Sequence, residues 1–361
     1  MSFLLPEFKD FKLAHHGAID FNELRSLNLE ASDIDDFSVN SLPYGPVESV
    51  LDAVNNSRLD QYPDRECLML RERVAHMDSV GMSNVLIGNG SSELLDLIAS
   101  AVLKRGDHVL IVGPTYGEYE RSARRQGAEP MQINAESETN FDIPFVQVRR
   151  CLQSAPCKVL YCCRPNNPTG ELFDYDALIG LIDEFDQTLF VVDEAYIRFL
   201  SDMRSIVPES IHRPNLIVVR SMTKDFALAG LRLGYMVAHD GLIGGMNRLK
   251  TPWSVSGVAQ AAGIAAIDNL SEYEQLWSAL SLEASEFKQR ITNLGFNIHN
   301  SRMHYFLVRT DRALKLREYL LKECLLVRLC ASFGLHNWLR VSTQTASMNQ
   351  RFIDVIGSFD D

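Results

Sequence analysis

Five short apolar runs, each followed at once by a turn-forming or polar residue, constrain this chain more than anything else in it. They are Val85-Leu86-Ile87 before Gly88-Asn89-Gly90, Val109-Leu110-Ile111-Val112 before Gly113-Pro114-Thr115-Tyr116, Val159-Leu160-Tyr161-Cys162-Cys163 before the Asn166-Asn167-Pro168-Thr169-Gly170 loop, Leu189-Phe190-Val191-Val192 before Asp193-Glu194-Ala195-Tyr196, and Leu216-Ile217-Val218-Val219 before Ser221. Helical patterns lie between them, for instance over 175–185. Apolar strands that alternate with helices predict an α/β protein with a mostly parallel central sheet covered on both faces. Functional groups in such folds collect just past the carboxyl ends of the strands. The polar residues named above all fall there.

Lys224 stands out among them. It lies between the small hydroxyl residues Ser221 and Thr223 and the turn Ala229-Gly230-Leu231-Arg232-Leu233-Gly234. An amine so placed, with a cation and glycines beside it, suits a Schiff base next to a bound phosphate; a lone lysine after a strand is otherwise a surface residue. Gly88-Asn89-Gly90-Ser91-Ser92 opens an amphipathic helix, and the unpaired N–H groups of a helix start hold phosphate well. Ser91 and Ser92 also suit plain helix caps, and the phosphate reading is favoured because nothing else upstream offers a cradle.

Asn167, Asp193, Lys224 and Arg232 follow one another at fixed order and spacing, and this series resembles that of the fold-type-I pyridoxal-phosphate enzymes, the aminotransferase class I/II superfamily, over about residues 40–340. The resemblance implies the cofactor pyridoxal 5'-phosphate, a fold with a smaller α+β part beside the sheet, and a role for each matching residue. Lys224 carries the cofactor, and Asp193 keeps its ring nitrogen protonated, since a carboxylate favours the charged pyridinium. Tyr196 and Asn167 bond its phenolic oxygen, and Tyr116 stacks on the ring. Ser221, Arg232 and the N–H groups of Ser91 and Ser92 hold the phosphate. Tyr62 reaches the phosphate of a partner subunit, which implies a homodimer with shared sites. Arg340 matches the arginine that clamps a substrate carboxylate, a task suited to a planar, permanently charged fork.

Inside the superfamily the chain is most similar to the threonine-phosphate decarboxylases, then to the histidinol-phosphate aminotransferases. The pieces that carry this are His16-Gly17, Asp36-Phe37-Ser38-Val39-Asn40, Pro252-Trp253-Ser254-Val255 and Val327-Arg328-Leu329-Cys330-Ala331-Ser332. By that resemblance His16, Gly17, Asn40 and Arg328 surround the substrate, and the expected reaction is decarboxylation of a phosphorylated amino acid. Transamination of the histidinol-phosphate type, and elimination or cyclisation on a specialised amino acid such as a guanidino one, are the alternatives. His16-Gly17-Ala18-Ile19 departs from the decarboxylases' His-Gly-Gly-Asn, and Leu42-Pro43-Tyr44-Gly45 from their Asn-Pro-Leu-Gly. Both departures fall on the substrate side. His15 or His16 is a further acid/base candidate, because imidazole titrates near neutral pH.

The 361 residues suffice for one large and one smaller domain, expected at 47–252 and at 1–46 plus 253–361. Helices are expected over 47–56, 258–269, 272–294 and 313–324, and strands over 305–308, 325–328 and 338–341; little periodicity marks 1–46. Thirty-five Lys and Arg against 47 Asp and Glu give a net charge of -12, which argues against a nucleic-acid or anionic-membrane partner. Seven cysteines without a CxxC pair indicate neither a disulfide framework nor a metal site. With no apolar run long enough to span a bilayer, a reduced, cytoplasmic protein is expected.

Overall fold

The computed structural model describes residues 17–359. Seven strands form the central sheet: β1 (Val85–Gly88), β2 (His108–Gly113), β3 (Glu129–Asn134), β4 (Val159–Cys163), β5 (Leu189–Asp193), β6 (Leu216–Ser221) and β7 (Gly234–Ala238). Their spatial order is β1-β7-β6-β5-β4-β2-β3, and only β7 runs antiparallel to its neighbours. Because successive side chains point to opposite faces, each apolar run feeds two cores. Leu110, Leu160, Phe190 and Val218 belong to one, and Ile111, Tyr161, Val191 and Ile217 to the other. This is why the runs read as continuous rather than alternating.

Two of these strands carry no such signal. In β3 most side chains are exposed and Pro130 interrupts it, as suits an edge strand. Fully buried β7 is hidden in sequence by the glycine turn that precedes it.

A second, antiparallel sheet of four strands comprises β8 (Asn297–His299), β9 (Tyr305–Arg309), β10 (Arg328–Leu329) and β11 (Trp338–Ser342), ordered β10-β11-β9-β8. Its core joins Phe306, Val308 and Val341 to Phe287 and Ile291 of the long helix Leu270–Asn293 and to Phe37 and Phe352. The run expected as one strand over 325–328 is broken at Val327. Leu325–Leu326 pairs in parallel with Asp35–Asp36, and only Arg328 and Leu329 continue into the four-stranded sheet. Residues below 46, expected to be bland, contribute that Asp35–Asp36 strand and a helix Phe21–Leu27 capped by the Asp20 carboxylate. With a single buried residue, Leu24, the helix has almost no hydrophobic periodicity to reveal it.

The helices expected over 47–56, 258–269, 272–294 and 313–324 lie within a residue or two of those bounds: Glu48–Asn55, Gly257–Asp268, Leu270–Asn293 and Ala313–Lys322. No helix among the described residues is long and apolar enough to cross a membrane. All seven cysteines are free thiols, four of them buried.

Candidate active site

A cavity of about 440 Å³ opens at the carboxyl ends of β1, β5 and β6 and reaches across to β10 and β11. At one end the helix Gly90–Val102 starts directly after β1. Gly90 has φ +77°, and a Cβ there would sit 2.8 Å from a guanidinium nitrogen of Arg232. Gly234 is equally confined, since its Cβ would lie 3.0 Å from the Ser91 backbone nitrogen. Absence of both side chains lets the Arg232 cation lie against the free N–H groups of the helix start, with Ser91 and Ser92 on the cavity wall. A fixed cation on a helix N-terminus is an anion cradle.

Lys224 stands on the single helical turn Met222–Asp225 that continues β6. The Ser221 and Thr223 hydroxyls bond each other at 2.6 Å, while the Lys224 amine has no hydrogen-bond partner among the described residues. Burial pulls its pKa down to about 8, helped by the Arg340 and Arg232 cations and opposed by Asp36. A primary amine in this range is partly neutral near physiological pH and so nucleophilic.

Asp193 ends β5 on the cavity floor, 3% exposed. Tyr119 donates its hydroxyl to Oδ2 at 2.8 Å and the Ala195 N–H donates to Oδ1 at 3.0 Å. Burial nevertheless lifts the carboxyl to about 6, the two hydrogen bonds pulling the other way. Sequence reasoning missed Tyr119. It stacks on Tyr161 with centroids 5.3 Å apart and meets Tyr116 edge-on at 5.7 Å. Its only sequence trace is the three-residue step from Tyr116, which places both rings on one face of a helical turn.

Arg340 lies on β11, 5% exposed. One guanidinium nitrogen donates to Asn167 Oδ1, the other to the Ser38 carbonyl, and Nε is buried without a partner among the described residues. Asn166 does not face the cavity; it pins the loop through Thr115, Pro114 and Thr169, and so presents Asn167. Gly17 packs so closely that a Cβ would come 2.4 Å from the Ser38 oxygen. Asn40 is 1% exposed, with neither amide atom bonded to a described residue, and it lines the same cavity. On β10, Arg328 donates to Ser332 Oγ at 2.7 Å and lies 5.5 Å from the Phe333 ring centroid. Burial and the nearby Arg340 lower its pKa to about 10.

The cavity therefore brings together Gly17, Asn40, Ser91, Ser92, Tyr116, Asn167, Asp193, Tyr196, Ser221, Lys224, Arg232, Arg328 and Arg340 from the residues singled out in sequence. Tyr62 is not among them: it is 84% exposed and packs against Trp253 at 5.1 Å. His15 and His16 lie outside the described residues.

This donor set fits pyridoxal phosphate: an anion cradle, an amine without a partner, a buried carboxylate for the ring nitrogen and an aromatic face at Tyr116. Comparison with known proteins agrees. The threonine-phosphate decarboxylase of Salmonella typhimurium is 30% identical over 352 residues, 95% of each chain. The histidinol-phosphate aminotransferase of Symbiobacterium thermophilum is 33% identical over 325 residues, 88% of each chain. The structure of histidinol-phosphate aminotransferase from Sinorhizobium meliloti in complex with pyridoxal-5'-phosphate has the same fold, with a TM-score of 0.88 at 20% identity over 99% of this chain and 96% of that one. Residues 32–356 match the aminotransferase class I and II description, and the chain belongs to that family of pyridoxal-phosphate-dependent, fold-type-I enzymes.

Proposed function

We propose that this chain decarboxylates a phosphorylated amino acid of the phosphothreonine type. The observation that carries this reading is that Arg328 and Arg340 line one cavity with Lys224. A buried guanidinium at Arg340 and a partly buried one at Arg328 suit a substrate with an anionic group at each end, since one arginine does not clamp both.

When bound, pyridoxal phosphate supplies the electron sink for a bond broken at the substrate Cα. The protein's residues do the rest. Arg232 and the helix start at Gly90 bind the cofactor phosphate, Asp193 holds the ring nitrogen's proton, and Asn167 and Tyr196 orient the ring from its phenolic side. Arg340, itself held by Asn167 and Ser38, receives the α-carboxylate. Arg328 and the amide of Asn40, unbonded among the described residues, receive the distal phosphate, with Gly17 on the same side. Lys224 Nζ would carry the cofactor and would donate the proton that takes the carboxylate's place on Cα after it leaves as CO₂.

The same reading includes a homodimer. Leu59, Tyr62, Met69, Leu249 and Trp253 are all at least half exposed or close to it, an apolar set that a second copy would cover. Tyr62 then completes the partner's phosphate cradle. It also carries the division into units of 47–252 and 1–46 plus 253–361, and a cytoplasmic location.

A second reading, transamination of the histidinol-phosphate type, is favoured by the 33% identity to such an enzyme. The test is release of CO₂ from phosphothreonine in the absence of any 2-oxo acid. Its absence at saturating substrate, with turnover of histidinol phosphate that requires 2-oxoglutarate, selects the second reading.

A further inference from the structure

A second cavity, of about 980 Å³, lies on the other side of the Lys224 segment. One wall is the long helix Leu270–Asn293, which turns Trp277, Ser278, Ser281, Ser285 and Lys288 toward it; the opposite wall is the stretch after β5 together with Arg198 and Arg220. Arg220 is the residue before Ser221 on β6, and the Trp277 indole donates to the Asp225 carbonyl at 2.8 Å. The segment that carries Lys224 thus separates the two cavities.

Lys288 is the exceptional group here. It is 6% exposed, and its ammonium donates to the Ser301 carbonyl at 2.6 Å. Among the described residues no carboxylate pairs with it. Arg220 Nε is likewise buried without a partner among them. The acids of the site are taken. Asp78 accepts from Arg198 and Tyr235, each at 2.7 Å; Asp202 is held at the mouth by both oxygens on Arg302. Glu194 is shared between Arg164 and Arg220, and Asp225 faces Arg198 at 3.5 Å. Asp78, Glu194 and Asp225 are thus engaged by Arg164, Arg198 and Arg220, and among the described residues no carboxylate is left for Lys288. Glu274 sits exposed at the rim. A buried, uncompensated ammonium is costly unless something anionic joins it, and burial already pulls Lys288 down to about 8.

We propose that this second cavity is a binding site for a small metabolite bearing an oxyanion, a carboxylate or a phosphate, held by Lys288 and Arg220 and met by the Ser281 hydroxyl of the helix wall. The site is independent of which reaction the first cavity performs.

Acetylation of Lys288 by acetic anhydride in the holoenzyme, followed by peptide mass, reads the site directly. Inorganic phosphate and succinate are the probes, compared with chloride at equal ionic strength. One of them is expected to slow acetylation of Lys288 about tenfold at ten times its dissociation constant; protection by phosphate or by succinate tells which oxyanion the site takes. Ser281→Trp, which fills the cavity without replacing Lys288, should abolish the protection. Equal rates with phosphate, succinate and chloride overturn the proposal, and so does protection that persists in the Ser281→Trp protein.

Discussion

Arg328 and Arg340 are direct cross-strand partners: in the antiparallel pairing of β10 with β11 they stand opposite one another, and both line the cavity that holds Lys224. Like charges opposite one another on a sheet are unfavourable; burial, and after it the facing Arg340 cation, lowers the Arg328 pKa to about 10. On the proposed reading, an anionic substrate would relieve that repulsion.

From this follows the behaviour of Arg328→Ala. A charge-assisted hydrogen bond contributes roughly 1.5–3 kcal/mol, so kcat/KM for phosphothreonine should fall about 10- to 150-fold. An unphosphorylated analogue should lose much less. Equal losses for both, in steady-state kinetics, would remove Arg328 from the distal anion site.

The cofactor-free chain should be more stable when Lys224 is replaced by Met, in a pH-dependent way. The folded-state pKa is depressed from 10.5 to about 8, so the charged amine destabilises the fold below about pH 8 and the penalty fades as pH rises toward 10.5. Allowing for partial exposure, the gain is of the order of 1–2 kcal/mol at pH 7 and close to nothing above pH 10.5. Urea unfolding of both proteins at the two pH values measures it.

On the proposed reading, Tyr119 would act on the cofactor through Asp193, to which it donates a hydrogen bond. Asp193 must be ionised to hold the protonated ring nitrogen, and in the cofactor-free chain it titrates at about 6, so pyridoxal-phosphate affinity should fall as pH drops through that value. Tyr119→Phe deletes a hydrogen bond that favours the carboxylate. The fall should then begin about one pH unit higher. An unchanged pH profile of cofactor binding, followed by absorbance, leaves Tyr119 a packing residue only.

Sharing of the site between subunits has its own test. Lys224→Ala and Tyr62→Ala chains should each be inactive, yet mixtures of exchanging subunits should recover about a quarter of native activity, because each hybrid has one intact site. No recovery in demonstrably exchanged mixtures counts against the shared phosphate site.

Most of the cavity was legible before the fold because its residues sit where strands end. Asp193, Ser221, Lys224 and the Ser91-Ser92 pair each fall within a few residues of the end of an apolar run, and a parallel sheet delivers such positions to one edge. Tyr119 was not legible, since its role depends on reaching Asp193 from 74 residues away. Nor were Ser38 and Asn167 as holders of Arg340, a contact spanning 302 and 173 residues respectively.

What the sequence by itself determined is five apolar strands alternating with helices, the parallel sheet they imply and the identity of the groups able to do chemistry. Those follow from periodicity and side-chain type, which are local properties. Only the tertiary structure decided that Arg328 and Arg340 face one another, that the run after Leu325 splits at Val327 between two sheets, and that Lys288 is buried beside a second cavity with no carboxylate paired to it among the described residues. Register between strands and the pairing of charges are set by packing between distant segments, where a one-residue slip would turn every side chain to the other face.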